Sequence, residues 1–167
     1  VAHLADDYSI EKVASVFKGV EHRIEYVREI NGINFYNDSM ATSPTRTIAG
    51  INSFNQKVIL IAGGYDKKIS YDDMGKTIAE KVKVLVLVGQ TAPLIEKSLE
   101  DERNISGKGA DIPVYKCSTL EEAVQKAYLS AEKGDIVILS PASASFDMFR
   151  NFEEKGNKYK EIVNSLV

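Results

Sequence analysis

The stretch VKVLVLVG, residues 82–89, is almost entirely apolar and β-branched up to its closing glycine. A run of this length and composition is typical of a strand that is buried on both faces of a sheet. The segment TAPLIEKSLE, residues 91–100, follows almost at once and has the apolar spacing of a helix. A buried strand that leads directly into a helix indicates one unit of a parallel sheet.

Similar units occur on both sides of this stretch. Further strands are predicted at residues 57–62, 113–117 and 135–140. One further helix is predicted to begin at Pro44, with Ser43 as its N-cap. Other helices are predicted at residues 70–82 and 118–134 and around Tyr159 to Leu166. The helix at 118–134 has Ser118 and Glu121 as a capping box and Gly134 as its end, whereas residues 101–111 are polar and predict a loop. The predicted fold class is α/β: a three-layer α/β/α, Rossmann-like domain with a mostly parallel sheet.

The N-terminal part of the chain predicts a β-hairpin. Residues 23–30 and 33–38 alternate between polar and apolar side chains, and they are joined by Asn31 and Gly32, a pair that favours a type I′ turn. Before the hairpin, residues 8–17 predict a short helix capped by Ser9. We therefore expect the mostly parallel sheet to carry an antiparallel hairpin at its N-terminal side.

The composition argues against several classes of function. The chain has 167 residues, a net charge of −3 and a single cysteine. This charge does not suit a general binder of nucleic acid or anionic membranes, and two His with one Cys do not suit a zinc site, so no metal site is predicted. The apolar runs are too short to span a bilayer, no secretion signal is visible, and one cysteine suits a reducing cytoplasm. Val1 in place of Met hints at a fragment of a longer protein.

Polar loops rich in glycine or serine follow four of the predicted strands. They are NDSMATSP (37–44), GGYDKK (63–68), GQT (89–91) and SPASAS (140–145). Parallel strands end at the same edge of a sheet, and open α/β sheets bind ligands at that edge, so we expect these loops to line one cleft. The small residues of the last loop would let the backbone approach a bound molecule, and its hydroxyls would bind to it.

Simpler interpretations remain open for these residues. The glycines of residues 63–68 suit an ordinary turn equally well, Asp38 suits a turn cap, and Arg23 suits a solvated strand face. The sequence MGKT at residues 74–77 resembles the end of a P-loop, but the motif's first glycine is missing and the segment lies in a predicted helix. No autonomous P-loop nucleotidase is therefore predicted, and no nucleophile–His–acid set is visible.

Four motifs taken together resemble one protein family, the Mur ligases, in their C-terminal domain. The motifs are GVEHRIE (19–25), NDSMATSP (37–44), IAGGYDKK (61–68) and LSPASASFDMFRNFEEKGNKYKE (139–161). Within the family, the resemblance is to the members that add D-glutamate, and it extends from Gly19 to the C-terminus. Residues 1–18 resemble the tail of the central ATPase domain. The resemblance thus implies a boundary between residues 1–18 and an amino-acid-binding ligase domain at 19–167.

The resemblance implies an ATP-dependent, amide-forming ligase of peptidoglycan precursor synthesis. ATP would phosphorylate the carboxylate of UDP-N-acetylmuramoyl-L-alanine, and the amine of D-glutamate would attack the acyl phosphate. Catalysis of this type depends on positioning and charge neutralisation and needs no protein nucleophile. ATP and Mg²⁺ would be bound mainly by the central domain, so this chain alone is expected to be inactive. We expect a cytoplasmic monomer without nucleic-acid or membrane partners.

The resemblance also implies two groups of binding residues, and no catalytic residue within this chain. Contacts to D-glutamate are implied for Thr42, Lys67, Ser145 and, through its backbone, Phe152. Contacts that face the nucleotide are implied for Arg23 and Asp38. A dianionic amino acid would suit such amide- and hydroxyl-rich loops with a nearby lysine.

Two positions depart from the family pattern. Ser143 stands where the family has a cysteine, an exchange expected to be mild. Met40 stands where the family has a lysine, which removes a cation from the cleft. Either another cation compensates, with Lys68 or Arg46 nearest in sequence, or Met40 is an engineered or tolerated change with reduced activity. The second explanation is slightly favoured, because a change from Lys to Met keeps the side-chain length and deletes only the charge.

Two other classes of function stay open. A stand-alone, flavodoxin-like binding or regulatory module would share the fold, but the chain lacks the acidic cluster of a phospho-acceptor site and the aromatic loops of a flavin site. Another Mur-type ligase, such as a folylpolyglutamate-forming enzyme, would share the family, but the motif at residues 139–149 argues against it.

Overall fold

The computed structural model describes residues 6–16 and 19–167, in which six helices and six strands alternate as an α/β fold. The helices are α1 (Asp7–Val16), α2 (Pro44–Asn52), α3 (Met74–Lys81), α4 (Ala92–Ser106), α5 (Leu120–Leu129) and α6 (Phe152–Ser165). The strands are β1 (Glu25–Ile30), β2 (Ile33–Asn37), β3 (Val58–Ala62), β4 (Val82–Val88), β5 (Val114–Cys117) and β6 (Ile136–Leu139). None of the helices in this part of the chain is long and apolar enough to cross a membrane.

The six strands form one sheet in the order β1-β2-β6-β3-β4-β5. β1 is antiparallel to β2, and every other neighbouring pair is parallel. Asn31 and Gly32 join β1 to β2 with positive φ angles of 53° and 81°, as a type I′ turn requires. The prediction of a mostly parallel sheet with an N-terminal hairpin is thus confirmed.

Helices cover both faces of the sheet, which gives the three predicted layers. One core cluster contains Ile51 of α2, Met74 of α3 and Ile95 of α4, all fully buried. The other contains Val124 of α5 and Tyr159 of α6. Every residue of β3 is buried, because helices lie on both sides of it, and this explains why its sequence is apolar without alternation.

The predicted loop at residues 101–111 is wrong in its first half. Helix α4 continues to Ser106, and Gly107 ends it with a φ of 73°. Residues 101–106 form the last turns of α4 and are half-buried or exposed, while Ile95 and Leu99 earlier in the helix are buried. The polar composition of residues 101–106 therefore reflects the weakly buried C-terminal end of an amphipathic helix and not a loop.

The starts of three other helices differ from the prediction, and the first of them is α3, which begins at Met74 and not at residue 70. Thr119, not Ser118, caps α5, because its side chain accepts a hydrogen bond from the Glu122 amide at 3.1 Å. Helix α5 also ends at Leu129 instead of reaching Gly134. Helix α1 begins at Asp7, and its cap is Asp6, whose Oδ1 accepts from the Ser9 amide at 2.7 Å. The predicted end of that helix at residue 17 lies outside the described residues.

Candidate functional site

The loops after β2, β3, β4 and β6 meet at one edge of the sheet, as the sequence predicts. The Tyr65 amide donates to the carbonyl oxygen of Ala144 at 2.9 Å, and the Thr91 amide donates to that of Gly64 at 3.0 Å. Gly64 permits this close approach, since a Cβ there would overlap the Ala144 carbonyl oxygen and lie 3.0 Å from the Lys155 ammonium. The backbone thus holds three of the loops together without help from a ligand.

Two regions of this edge carry the residues singled out in the sequence. The first, the Asp38 cavity, is lined by Arg23, Ile24, Asp38, Met40, Ala41, Arg46, Ala49 and Gly50. The second, the Ser145 region, consists of the loops at residues 63–67 and 140–145 together with Asp147 and Lys155. The segment from Asp38 to Thr42 contacts both regions, since Asp38 lines the cavity and the Thr42 carbonyl oxygen accepts a hydrogen bond from Lys67.

The Asp38 cavity has a volume of about 340 Å³ and brings together both residues that were expected to face a nucleotide, Arg23 and Asp38. Asp38 is buried, and its carboxylate accepts hydrogen bonds from the Ile24 amide at 3.2 Å and from the Ser140 hydroxyl at 2.7 Å. Gly50 leaves room for this carboxylate, because a Cβ there would lie 2.6 Å from Asp38 Oδ2. The orientation of Asp38 is therefore fixed before any ligand arrives.

The electrostatics of Asp38 combine two opposing effects. Burial raises the pKa of the Asp38 carboxyl above its usual value, and the hydrogen bond from Ser140 opposes that shift most strongly. The positive charges of Arg23 and Arg46 act in the same direction as Ser140. Both arginines therefore lie close enough to the carboxylate to influence its charge.

The structure brings together two of the expected D-glutamate contacts, Lys67 of the Ser145 region and Thr42. Lys67 is exposed, and its ammonium donates a hydrogen bond to the carbonyl oxygen of Thr42 at 2.7 Å. Ser145 is 2% exposed, and its hydroxyl has no hydrogen-bond partner among the described residues. A buried hydroxyl without a partner is costly, so Ser145 is a candidate for completion by a bound molecule.

The other two serines of the loop at residues 140–145 have partners within the protein. The Ser140 hydroxyl bonds to Asp38, and the Ser143 hydroxyl lies 2.7 Å from Thr91 Oγ1 and 2.9 Å from the Tyr71 hydroxyl. Of the three hydroxyls expected to bind a ligand, that of Ser145 is the one without a hydrogen-bond partner in the part of the chain that the structure describes. The small residues of this loop serve mainly to pack it against its neighbours.

Phe152, the fourth expected contact, is the first residue of α6, where backbone N–H groups have no partner within the helix. The side chain of Asn151 caps this helix by accepting from the Glu154 amide at 2.8 Å. The ring of Phe152 packs edge-on against His22, with 5.9 Å between ring centroids. His22 is buried, which the sequence did not predict, and its Nδ1 lies 2.9 Å from Asn37 Nδ2.

Lys155 and Asp147 carry the most unusual charges of the Ser145 region. Lys155 is 1% exposed, and its ammonium donates one hydrogen bond, to the Gly63 carbonyl oxygen at 3.3 Å. Burial lowers the pKa of Lys155 to about 8, although the nearby negative charge of Asp147 acts in the opposite direction. Both carboxylate oxygens of Asp147 are buried and have no hydrogen-bond partner in the described part of the chain.

Comparison with known proteins identifies the family. Residues 22–143 match the family described as Mur ligase, glutamate ligase domain. This match covers most of the chain. The chain belongs to the Mur ligase family.

Two relatives of this Mur ligase domain are both named UDP-N-acetylmuramoylalanine--D-glutamate ligase. The UDP-N-acetylmuramoylalanine--D-glutamate ligase of Acetivibrio thermocellus is 73% identical over 157 residues, which are 94% of this chain and 34% of that protein. The ligase of the same name from Ruminiclostridium cellulolyticum is 56% identical over 158 residues, or 95% of this chain and 34% of that protein. The chain thus spans about a third of the length of these relatives.

Solved structures confirm the fold of the Mur ligase domain. A bifunctional folylpolyglutamate synthase/dihydrofolate synthase from Yersinia pestis matches 95% of this chain and 35% of its own, with a TM-score of 0.62 and 16% identity. A murein peptide ligase from Psychrobacter arcticus matches 93% of this chain and 32% of its own, with a TM-score of 0.58 and 14% identity. At these identities the likeness concerns the fold alone.

Three further residues of the Mur ligase domain lie in the two regions, of which the sequence named only Arg46, as a possible compensating cation. Arg46 lines the Asp38 cavity, and Asp147 and Lys155 lie beneath the loops of the Ser145 region. Lys155 had a visible signal, since it is four residues before Tyr159 and eight before Val163, on the buried side of α6. A lysine within an apolar helix stripe is rare and indicates a special role.

The domain offers no evident metal site. Among residues 6–16 and 19–167, no three His, Cys, Asp or Glu side chains are grouped so that they could hold a metal ion.

Proposed function

We propose that this chain is the amino-acid-binding domain of an ATP-dependent ligase that adds D-glutamate to UDP-N-acetylmuramoyl-L-alanine. The observation that carries the proposal is the 73% identity to a ligase with this name over 94% of the chain. The site geometry supports it, because Lys67 contacts Thr42 and the neighbouring loop carries the buried Ser145 hydroxyl, which has no partner among the described residues. These groups suit a ligand with carboxylates and hydrogen-bonding capacity.

In this proposal the domain binds and orients the substrates. The Lys67 ammonium and the Ser145 hydroxyl hold the carboxylates of D-glutamate, and the first amides of α6, at Phe152, add donors to the same ligand. Arg23 and Asp38 face the nucleotide. A carboxylate oxygen of UDP-N-acetylmuramoyl-L-alanine attacks the terminal phosphorus of ATP and releases ADP. The amine of D-glutamate then attacks the acyl carbon, phosphate leaves and the nitrogen loses a proton, so the domain acts through positioning.

The proposal also assigns two parts to the chain, residues 1–18 as the tail of a preceding ATPase domain and residues 19–167 as the ligase domain. Tyr8 and Val13 of α1 support this division, because they are 72% and 62% exposed and would gain a covering surface from another domain. The working enzyme is taken to be a cytoplasmic monomer that uses ATP and Mg²⁺ bound mainly outside this chain.

The alternatives from the sequence gain no specific support. A stand-alone flavodoxin-like module does not agree with membership of the Mur ligase family. A folylpolyglutamate-type ligase shares the fold at 16% identity, which does not distinguish it from other members.

The test is a full-length ligase that carries this sequence as its C-terminal part. ADP release should require both UDP-N-acetylmuramoyl-L-alanine and D-glutamate, and L-glutamate should not replace D-glutamate. The 167-residue chain alone should release no ADP. Substrate-dependent ADP release by the chain alone, or equal use of the two glutamate enantiomers by the full-length protein, would contradict the proposal.

A further inference from the structure

The Asp38 cavity contains more positive than negative groups. Its walls carry the guanidinium groups of Arg23 and Arg46 and a single carboxylate, that of Asp38, while Met40 and the remaining lining residues are apolar or glycine. The carboxylate already accepts two hydrogen bonds from the protein. The excess charge is therefore available to an anionic group, and the cavity volume is in the range of small-ligand sites.

Arg46 is held in place by contacts that are visible without a ligand. It is the third residue of α2, and its Nη1 donates to the carbonyl oxygen of Met40 at 3.3 Å. This bond turns the guanidinium back across the start of its own helix and toward the cavity. Its positive charge acts to lower the pKa of the Asp38 carboxyl, against the larger raising effect of burial. A guanidinium has five donors, so most of those on Arg46 remain available.

We propose that Arg46 is a nucleotide-binding residue that, together with Arg23, supplies the positive charge of the Asp38 cavity to a phosphate group of the nucleotide. This inference rests on the proposed function and adds a residue to it. Arg46 then provides the cation that Met40 does not provide, and Met40 serves as an uncharged wall that fixes Arg46 through its carbonyl group. In this proposal, compensation by Arg46 replaces the expectation of an uncompensated loss of charge at Met40.

The geometry favours Arg46 over Lys68, the other cation near Met40 in sequence. The Lys68 ammonium pairs with Asp66 at 2.8 Å, and the Lys68 side chain is 87% exposed. It does not line the Asp38 cavity. Compensation by Lys68 would require it to leave Asp66, whereas Arg46 already lies at the cavity.

The experiment uses the full-length ligase with Arg46→Met, Arg46→Lys and a control, Arg28→Met. Arg28 is a matched control, because its Nη1 also donates to a backbone carbonyl, that of Asn164 at 3.1 Å, but it lies on β1 toward the other end of the sheet. Arg46→Met should raise both the KM for ATP and the Kd for ADP, measured by calorimetry, about tenfold to a hundredfold. Arg46→Lys should recover part of this loss, and Arg28→Met should change neither value by more than about twofold.

A double-mutant cycle with Met40→Lys tests the compensation itself. If Arg46 supplies the missing charge, Arg46→Met should raise the ADP Kd much less in the Met40→Lys background than in the native one. Equal effects in the two backgrounds, or an ADP Kd that Arg46→Met leaves unchanged, would overturn the inference. The Kd for ADP is measured by calorimetry without D-glutamate. If the ligase used a different amino acid, the proposed function would be contradicted, but the effect of Arg46→Met on the Kd for ADP would still test this inference.

Discussion

The Asp38 cavity and the Ser145 region lie at the same edge of the sheet but differ in how their buried polar groups are paired. In the cavity, the Asp38 carboxylate accepts two hydrogen bonds, and Arg46 is fixed by a backbone carbonyl. In the Ser145 region, the Ser145 hydroxyl and the Asp147 carboxylate have no partner among the described residues, and Lys155 makes one long hydrogen bond.

This difference suggests that the two regions are prepared for binding in different ways. A site whose groups are already paired is rigid before the ligand arrives, and the ligand adds contacts to a fixed frame. A site with buried unpaired groups carries an energetic cost that a ligand or a small rearrangement can relieve. The predictions below test this distinction, starting with the effect expected to be largest.

The largest effect is expected from the pH dependence of Lys155. Its folded-state pKa of about 8 lies below the value of an unfolded lysine, so between about pH 8 and pH 10.5 the unfolded chain holds a proton that the folded chain has lost. The free energy of unfolding should therefore rise across this window, by about 3 kcal/mol from this group. Urea unfolding of the 167-residue chain at several pH values measures the rise.

Lys155→Met should remove this rise, and Lys57→Met, at an exposed position, should retain it. Other groups that titrate above pH 9 contribute equally to both variants. Their contributions therefore cancel when the free energies of unfolding of the two variants are compared. If the native chain and Lys155→Met respond to pH alike, Lys155 has a solvated or well-paired ammonium, and the contrast between the two regions fails at this residue.

The second prediction separates the two regions by their ligands. In the full-length ligase, Lys67→Met should raise the KM for D-glutamate about tenfold to a hundredfold, because a charge-assisted contact is lost, and should change the KM for ATP little. Lys68→Met is the matched control, since Lys68 is the next residue and pairs with Asp66. A larger effect on ATP than on D-glutamate would mean that Lys67 belongs functionally with the Asp38 cavity.

The third prediction concerns the paired part of the Ser145 region. Ser143→Ala removes a buried hydroxyl that lies within hydrogen-bond distance of both Thr91 and Tyr71. The loss should lower the free energy of unfolding by about 1–2 kcal/mol, while Ser165→Ala, at an exposed site, should have almost no effect. Ser143→Cys keeps a weak donor and should lie between them. Equal stability of the native chain and Ser143→Ala would show that this network contributes nothing.

Much of the site could be located from the sequence because strand ends in a parallel sheet share one edge. The loops at residues 63–68 and 140–145 follow apolar strands, and the sheet order places those strands side by side. Lys67 and Thr42 were assigned through a family resemblance, and the structure places them in contact. Residue-level assignment of D-glutamate and nucleotide contacts remains a prediction.

The sequence by itself determined the α/β class, the hairpin turn and the order of the elements. These depend on apolar periodicity and turn chemistry, which act between residues close in the chain. Only the tertiary structure decided which polar groups are paired, since those partners are far apart in sequence. The bond from Ser140 to Asp38 spans 102 residues, and that from Lys155 to Gly63 spans 92. Such pairings depend on how the loops pack, and packing is a property of the whole fold.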